Sequence, residues 1–150
     1  MSSDRHCFAA RVPRAGRVVK ILGNRAQDWL AQARYDLQHA RNSLEVGDYE
    51  WACFAAHQAA EKSVKALILH RGGEGWGHSI THLLMDLGAL LDIPEGVLAA
   101  SRRLDKHYIP ARYPNGFDRG IPREYYTSDE AREAINDAKT IYDFCRNSIS

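Results

Sequence analysis

The fold is decided by residues 30–71, which read LAQARYDLQHARNSLEVGDYEWACFAAHQAAEKSVKALILHR. In the first half, apolar residues recur at alternating steps of three and four, at Leu30, Ala33, Leu37, Ala40 and Leu44. This spacing predicts an α-helix with one buried seam. Gly47 and Asp48 then predict a helix end and a helix start, because glycine tolerates the left-handed closing conformation and aspartate can accept bonds from free amides. We therefore expect an antiparallel helical hairpin.

The second helix is predicted over residues 49–71, and its inner face carries Cys53, Ala56, Ala60, Val64 and Leu67. Three further start signals follow: Ser79 as a cap, Pro94 in a first turn, and Thr127 with Glu130 as a capping box. The helix after Pro94 is expected to continue to Tyr108, and residues 109–126 form an irregular segment of a length that is usually functional or mobile. The sequence thus predicts an all-α protein, an up-and-down antiparallel bundle of four or five helices without strands.

The length of 150 residues fits one domain, and the composition is ordinary for a globular protein. No apolar run approaches the length of a membrane span. Cys7, Cys53 and Cys145 lie far apart, so the spacing indicates neither a disulfide framework nor a cysteine metal site. We expect a cytoplasmic protein that does not enter the membrane.

The charge is unevenly distributed along the chain. Residues 1–20 hold five basic residues and one acidic residue, whereas the whole chain carries a net charge of only +1. We therefore divide the chain into a basic N-terminal extension, residues 1–25, and a helical domain, residues 26–150. An extension of this kind can be inert, bind nucleic acid or act in targeting.

The second helix also presents a polar set that recurs every three to four residues: His57, Gln58, Glu61, Lys62 and Lys65. The simplest interpretation is a solvated helical face, in which Glu61 and Lys65 form a weak i,i+4 pair. The alternative is a phosphate-facing surface, with Lys62 and Lys65 as point charges.

His78 and His82 are four residues apart and would share one helical face if the third helix began early enough. Zinc can use such a pair. Because no Glu follows His78 in a metalloprotease pattern and no third ligand is evident, capping or core hydrogen bonding is the better interpretation. We predict neither a metal nor another cofactor.

The densest polar cluster is SRRLDKHY, residues 101–108, which leads directly into IPARYPNG, residues 109–116. Histidine exchanges protons near neutral pH, and arginine holds phosphate oxygens in a bidentate fork, so the combination suits phosphodiester chemistry. Basic side chains at a helix end also simply complement the helix dipole.

Three blocks of the sequence resemble the HEPN domain family. They are ARYDL with GDY (residues 33–37 and 47–49), HQAAEKSVKAL (57–67) and HYIPARYP (107–114), and the resemblance spans roughly residues 26–147. It implies a four- or five-helix bundle that pairs into homodimers and is often partnered by a small nucleotidyltransferase, as in toxin–antitoxin systems.

Many members of this family are similar to metal-independent ribonucleases whose motif is Arg, four to six residues, then His. Arg102 and His107 satisfy that spacing. Five positions along a regular helix rotate by about 140°, so either the helix is distorted or Arg103, four residues before His107, is the working arginine. Some toxin members place a Tyr two residues after the His, whereas here Tyr108 follows it directly.

The resemblance leaves three interpretations open. In a ribonuclease, His107 would exchange protons with the ribose 2′-hydroxyl and the leaving oxygen, while Arg102 or Arg103 would stabilise the phosphorane. In a non-catalytic subunit that holds RNA or nucleotide and docks a nucleotidyltransferase, phosphate would bind to basic side chains and a tyrosine would stack or be modified. This set comprises Lys62, Lys65, Arg112, Tyr108 and Tyr113. In the third interpretation, Arg112 only anchors a long loop.

Overall fold

The structure, a computed structural model, describes residues 25–150. Six α-helices make up the described part of the chain, which contains no strand: α1 (Arg25–Glu45), α2 (Tyr49–His70), α3 (Ile80–Leu87), α4 (Glu95–Asp105), α5 (Pro122–Tyr125) and α6 (Ser128–Ile149). A short 3-10 turn spans Pro114–Gly116. The predicted all-α fold is confirmed. The predicted extension lies outside the described residues, except for Arg25, where α1 begins.

The helical hairpin forms where the sequence pattern predicts it. The apolar seam of α1 is buried from Leu30 to Ala40, and Gly47 has a φ of 85° at the turn into α2. Asp48 precedes α2, but its carboxylate accepts no bond from the helix amides. It accepts a bond from Arg123 Nη1 at 2.8 Å instead, which connects this turn to α5.

The central element of the bundle is α2, which packs most extensively against α1 and α6 and also contacts α3 and α4. Its alanines allow the close approach of these helices, since Ala52, Ala56, Ala59, Ala60 and Ala66 are all fully buried. The expectation of a solvated polar face was wrong, because His57 and Glu61 of that face are also buried. An amphipathic pattern predicts a solvent-exposed side for a helix at the protein surface, whereas other helices pack around most of α2.

Two connections differ from the sequence prediction. Helix α4 ends at Asp105 rather than continuing to Tyr108, and residues 106–112 form turns. The segment 109–126 contains α5, a helix of four residues that begins with Pro122 and is too short for a periodic apolar pattern. Within residues 25–150, none of the helices combines the length and apolar character needed to cross a bilayer.

Candidate functional site

Asp105, the last residue of α4, joins three helices through its carboxylate. It accepts bonds from the backbone amides of Ile80 (3.0 Å) and Thr81 (2.9 Å), from the Thr81 hydroxyl (2.7 Å) and from the Ser79 hydroxyl (3.3 Å). Burial raises the pKa of Asp105, but hydrogen bonds from His57, Thr81 and Ile80 outweigh it and leave the pKa below its ordinary value. Asp105 therefore acts as an N-cap for α3 from a distant position in the chain.

His57 of α2 is fully buried beside Asp105, with its Nε2 atom 3.1 Å from Asp105 Oδ1. Because an ionised carboxylate can only accept, His57 Nε2 carries the proton of this bond. The Nδ1 atom lies 3.4 Å from Gln58 Nε2 and 3.9 Å from Glu61 Oε1. The bond between His57 and Asp105 ties α2 to the end of α4.

Glu61, one turn further along α2, is the second carboxylate of the cluster and is only 4% exposed. Its Oε2 atom accepts from Lys65 Nζ at 2.8 Å, and both of its oxygens lie near His78 Nδ1, at 3.3 and 3.1 Å. Lys65 therefore lies against Glu61, and its side chain is only 14% exposed.

His78 precedes α3 rather than lying within it, so His78 and His82 do not share a helical face. His82 Nδ1 lies 2.7 Å from the Ser79 hydroxyl, and Ser79 caps α3 by accepting from the His82 amide. The predicted capping role of Ser79 is confirmed. Among residues 25–150, no three His, Cys, Asp or Glu side chains are placed to hold a metal ion.

Tyr108 is the aromatic centre of this region. The His78 ring stacks on it, with centroids 4.8 Å apart and planes 19° apart, and the His57 ring lies 5.1 Å away. Phe54 of α2 contacts the same ring at 6.1 Å. Tyr108 thus links the buried cluster on α2 to the loop that follows α4.

Arg112 lies on the next turn of this loop and is surrounded by three aromatic rings. Its Cζ atom is 4.4 Å from the Phe54 centroid, 4.5 Å from that of Tyr108 and 5.0 Å from that of Tyr113. Its Nε–H donates to the Tyr108 carbonyl at 2.9 Å. Within residues 25–150, Arg112 forms no ion pair. Cation–π contacts fix the guanidinium without neutralising its charge.

A groove with a volume of about 340 Å³ adjoins this arginine through Phe54. It is lined by side chains of α1 and α2, namely Asp36, His39, Trp51, Phe54, Ala55, Gln58 and Lys62. Lys62 Nζ donates to Asp36 Oδ2 at 2.5 Å, so its charge is partly balanced. The groove combines aromatic walls with one cation, one carboxylate and one amide.

The two predicted catalytic arginines are each held by carboxylates. Arg102 Nη1 donates to Glu95 at 2.9 Å on the surface of α4. Arg103 binds Asp137 of α6 through Nε (2.9 Å) and Nη2 (2.8 Å), and Glu133 lies 3.9 Å away. The Asp137 carboxylate raises the pKa of Arg103 further.

His107 contacts Tyr126, which lies between α5 and α6. Its Nδ1 atom is 3.0 Å from the Tyr126 hydroxyl, and the two rings are 5.3 Å apart. Burial lowers the pKa of His107, although the carboxylates of Glu130, Glu133 and Asp137 act in the opposite direction. Burial raises the pKa of Tyr126, because the charged form of a tyrosine is the deprotonated one.

The structure therefore divides the predicted residues between two regions. Tyr108, Arg112 and Tyr113 form one cluster, with Lys62 and Lys65 on the neighbouring turns of α2. Arg103 lies against α6, His107 contacts Tyr126 just before that helix, and Arg102 binds a different partner on α4.

No role was predicted for Asp105 or Phe54, and the contact between Glu61 and His78 was not predicted. The i,i+4 spacing of His57 and Glu61 was a signal for a polar cluster, but their burial depends on helices that pack from elsewhere in the chain.

Comparisons with known proteins agree with this architecture. The sequence profile of the HEPN domain matches residues 26–148. A protein of Thermus thermophilus with a known crystal structure is 51% identical, with a TM-score of 0.81, covering 83% of this chain and 98% of that one. Residues 25–150 thus form a helical bundle with a polar cluster on its central helix, and the chain belongs to the HEPN domain family.

Other relatives are more distant. The crystal structure of an archaeal HEPN homologue is 42% identical, with a TM-score of 0.72, and covers 83% of this chain and 98% of its own. A curated protein of Methanocaldococcus jannaschii, whose name is "Putative toxin", is 22% identical over 133 residues, which are 83% of this chain and 88% of the relative.

Proposed function

We propose that this HEPN protein binds the phosphate groups of RNA or a nucleotide at Arg112. The observation that carries the proposal is the position of this guanidinium, which is framed by Phe54, Tyr108 and Tyr113 and forms no ion pair within residues 25–150. A positive charge that is fixed but not neutralised is suited to a phosphate.

The hydrogen bond from Arg112 Nε to the Tyr108 carbonyl uses one of the five guanidinium donors and sets the plane of the group. The terminal nitrogens keep their donors for phosphate oxygens. Because the side chain is already ordered, binding costs less conformational entropy than it would for a free surface arginine.

The groove beside Phe54 supports a site larger than one phosphate. Its volume of about 340 Å³ is in the range of small-molecule sites, roughly 300–1,000 Å³. Trp51 and Phe54 offer stacking surfaces for a base, and Lys62 lies at the same groove. In this proposal Lys62 and Lys65 would bind phosphate by exchanging it for the carboxylates of Asp36 and Glu61, with which they are paired.

The test compares Arg112→Ala with Arg102→Ala, since both variants remove one arginine from the same end of the bundle. Fluorescence anisotropy with a labelled single-stranded RNA should show about tenfold weaker binding for Arg112→Ala, as expected for losing one charged hydrogen-bond partner of about 1.5 kcal/mol. Arg102→Ala should bind as the wild type does. Equal affinities of both variants, with both folded, would show that the phosphate site lies elsewhere.

A second candidate function is metal-independent RNA cleavage by His107 with Arg103 or Arg102. Two observations favour it: the relative named as a toxin, and the placement of Arg103 against α6 while His107 contacts Tyr126, just before that helix. Phosphate would have to displace Asp137 from Arg103, because that carboxylate occupies the donors. Unchanged RNA decay by a His107→Ala variant of an active preparation would exclude this function.

Partners are part of the same proposal. From its membership of the family we propose that the chain forms a homodimer and pairs with a minimal nucleotidyltransferase. Light scattering behind size-exclusion chromatography measures the first, and co-purification with a nucleotidyltransferase encoded beside the gene measures the second. A monomer at working concentrations would contradict the dimer.

A further inference from the structure

We infer that the groove between α1 and α2 selects guanine, with the paired side chains of Asp36 and Lys62 binding the edge of the base beside the ring of Trp51. This inference deepens the proposed function, since it rests on the binding of RNA or a nucleotide and names the base. It also gives Lys62 a base to bind in place of a phosphate. All three side chains line this one groove.

The ion pair between Asp36 and Lys62 leaves this part of the groove with little net charge. Lys62 Nζ donates to Asp36 Oδ2 at 2.5 Å, and the two side chains come from opposite helices of the hairpin. A phosphate would be repelled by the Asp36 carboxylate and would have to displace it, whereas a neutral base brings no charge that the pair must balance. The pair is therefore better suited to a base than to a phosphate.

Both side chains keep hydrogen-bonding capacity beyond their own bond. An ionised carboxylate has about four acceptor positions, and a lysine ammonium has three donors. Within residues 25–150, Asp36 accepts one bond on each oxygen, from Lys62 Nζ and from Gln32 Nε2 at 3.0 Å. The side chains of Asp36 and Lys62 are 17% and 28% exposed and line the groove, so the remaining positions are accessible to a ligand.

Guanine carries the hydrogen-bonding pattern that complements this pair. On its Watson–Crick edge the O6 acceptor stands beside two donors, N1–H and N2–H. The Lys62 ammonium can donate to O6 while the two oxygens of Asp36 accept from N1–H and N2–H. Adenine, cytosine and uracil each have a single donor group on this edge, so one oxygen of Asp36 would receive no bond from them. The pair thus favours guanine over the other bases of RNA.

The face of α2 that lines the groove leaves room for a base next to this pair. Trp51, Ala55, Gln58 and Lys62 follow one another at steps of four, three and four residues, so they lie in one row along the helix. The small side chain of Ala55 opens a space between the indole of Trp51 and the polar pair. Trp51 is 48% exposed and retains open ring surface against which any base can pack, so the choice between bases falls to the polar pair.

Isothermal titration calorimetry of the full-length protein with four nucleotides tests the inference. The 5′-monophosphates of guanosine, inosine, xanthosine and adenosine (GMP, IMP, XMP and AMP) share one ribose and one phosphate, so differences in affinity report the base. IMP lacks the amine at position 2 and should bind about tenfold more weakly than GMP, as expected for one lost hydrogen bond to a charged acceptor. AMP should bind about a hundredfold more weakly than GMP.

Asp36→Asn should reverse the preference between GMP and XMP. An asparagine amide donates where the carboxylate accepts, so it opposes the amine at position 2 of GMP and binds the oxygen at position 2 of XMP. We expect about tenfold weaker binding of GMP and tighter binding of XMP, a reversal that a merely structural role of Asp36 would not produce. Asp28→Asn is the matched control, because Asp28 is also on α1 and is paired with Arg25 at 2.8 Å outside the groove. It should keep the wild-type order of affinities.

Lys62→Met tests the other half of the pair and serves if Asp36→Asn does not fold. It removes the donor to O6, so GMP, IMP and XMP should all bind about tenfold more weakly, because all three bases carry that oxygen. Unchanged affinity for GMP in a folded Lys62→Met variant would overturn the inference.

The remaining outcomes separate the inference from the proposed phosphate site. GMP that binds no more tightly than AMP overturns the inference and leaves the site at Arg112 standing. A preference for GMP over XMP that persists in Asp36→Asn overturns the inference as well. If Asp36→Asn reverses the preference while Arg112→Ala binds RNA as the wild type does, the base site stands and the phosphate site at Arg112 is overturned.

Discussion

The two arginine-bearing regions at the end of α4 differ in what holds the guanidinium groups. Arg102 and Arg103 lie on the helix and are bound by carboxylates, Arg103 in a bidentate pair with Asp137. Arg112 lies in the loop and is held by aromatic rings and a backbone carbonyl. The first arrangement balances the charge of each arginine within the protein, whereas the second leaves the charge of Arg112 without an ion-pair partner among residues 25–150. Spacing in a motif therefore says less about function than the partners that the fold supplies.

The largest effect is expected from a change at Asp105, whose carboxylate connects the end of α4 to α2 and α3. Asp105→Ala removes the acceptor of two α3 amides and of buried His57, and each buried donor left without a partner costs about 1–3 kcal/mol. We expect urea denaturation to show a loss of about 3 kcal/mol or more in the free energy of unfolding. Exposed Asp92→Ala is the control and should change it by less than about 0.5 kcal/mol. A similar loss in both variants would contradict the capping role of Asp105.

A conservative change sharpens the comparison between the regions. Arg112→Lys keeps the charge but loses the planar group that stacks among the rings and forks onto phosphate. We expect about tenfold weaker RNA binding by anisotropy. Arg102→Lys, in the carboxylate-bound region, should stay within about twofold of the wild type. If Arg112→Lys binds as tightly as the wild type, the site uses charge alone and the aromatic frame is structural.

The pH dependence of stability tests the burial of His107. Because burial lowers its pKa in the folded protein, the unfolded chain binds the proton more readily below the ordinary value of about 6.5. The contribution of His107 to the free energy of unfolding should therefore be fully present above about pH 6.5. It should be lost as the pH decreases from there towards the pKa of His107 in the folded protein. Urea titrations at several pH values measure this slope. His107→Gln should flatten it, and a slope that persists unchanged would assign it to other groups.

The smallest effect is expected at the ion pair between Arg103 of α4 and Asp137 of α6. Arg103→Ala removes a bidentate contact to Asp137, but the arginine side chain is 44% exposed and solvent screens the pair. We expect a loss of less than about 1 kcal/mol in thermal denaturation. A much larger loss would mean that the carboxylate of Asp137, which is only 9% exposed, needs Arg103 to compensate its charge.

The sequence was sufficient for the hairpin and for the start of α6, because the signals at both places are local. The seam from Leu30 to Leu44, the glycine at 47 and the Thr127–Glu130 capping box act within a few residues, and the structure contains all three. The end of α4 could not be predicted in this way. Asp105 ends that helix while its carboxylate binds amides 24 and 25 residues earlier in the chain.

The candidate site was predictable only in part. The loop pattern at residues 108–113 identified Tyr108, Arg112 and Tyr113, which do form one cluster. Their functional roles remain predictions. Glu61 and His78 escaped notice as a pair because 17 residues and a glycine-rich connection separate them, and no periodicity links positions across such a connection.

The Asp105 carboxylate also has a consequence for local opening of the bundle. Because the end of α4 and the start of α3 share this one group, neither helix terminus can fray without removing a partner from the other. We expect the amides of residues 80–84 and 101–105 to exchange with deuterium at matched rates, as one cooperative unit. A protein that opens in this way would release the loop carrying Arg112 together with α3, so that exchange and ligand access share one equilibrium.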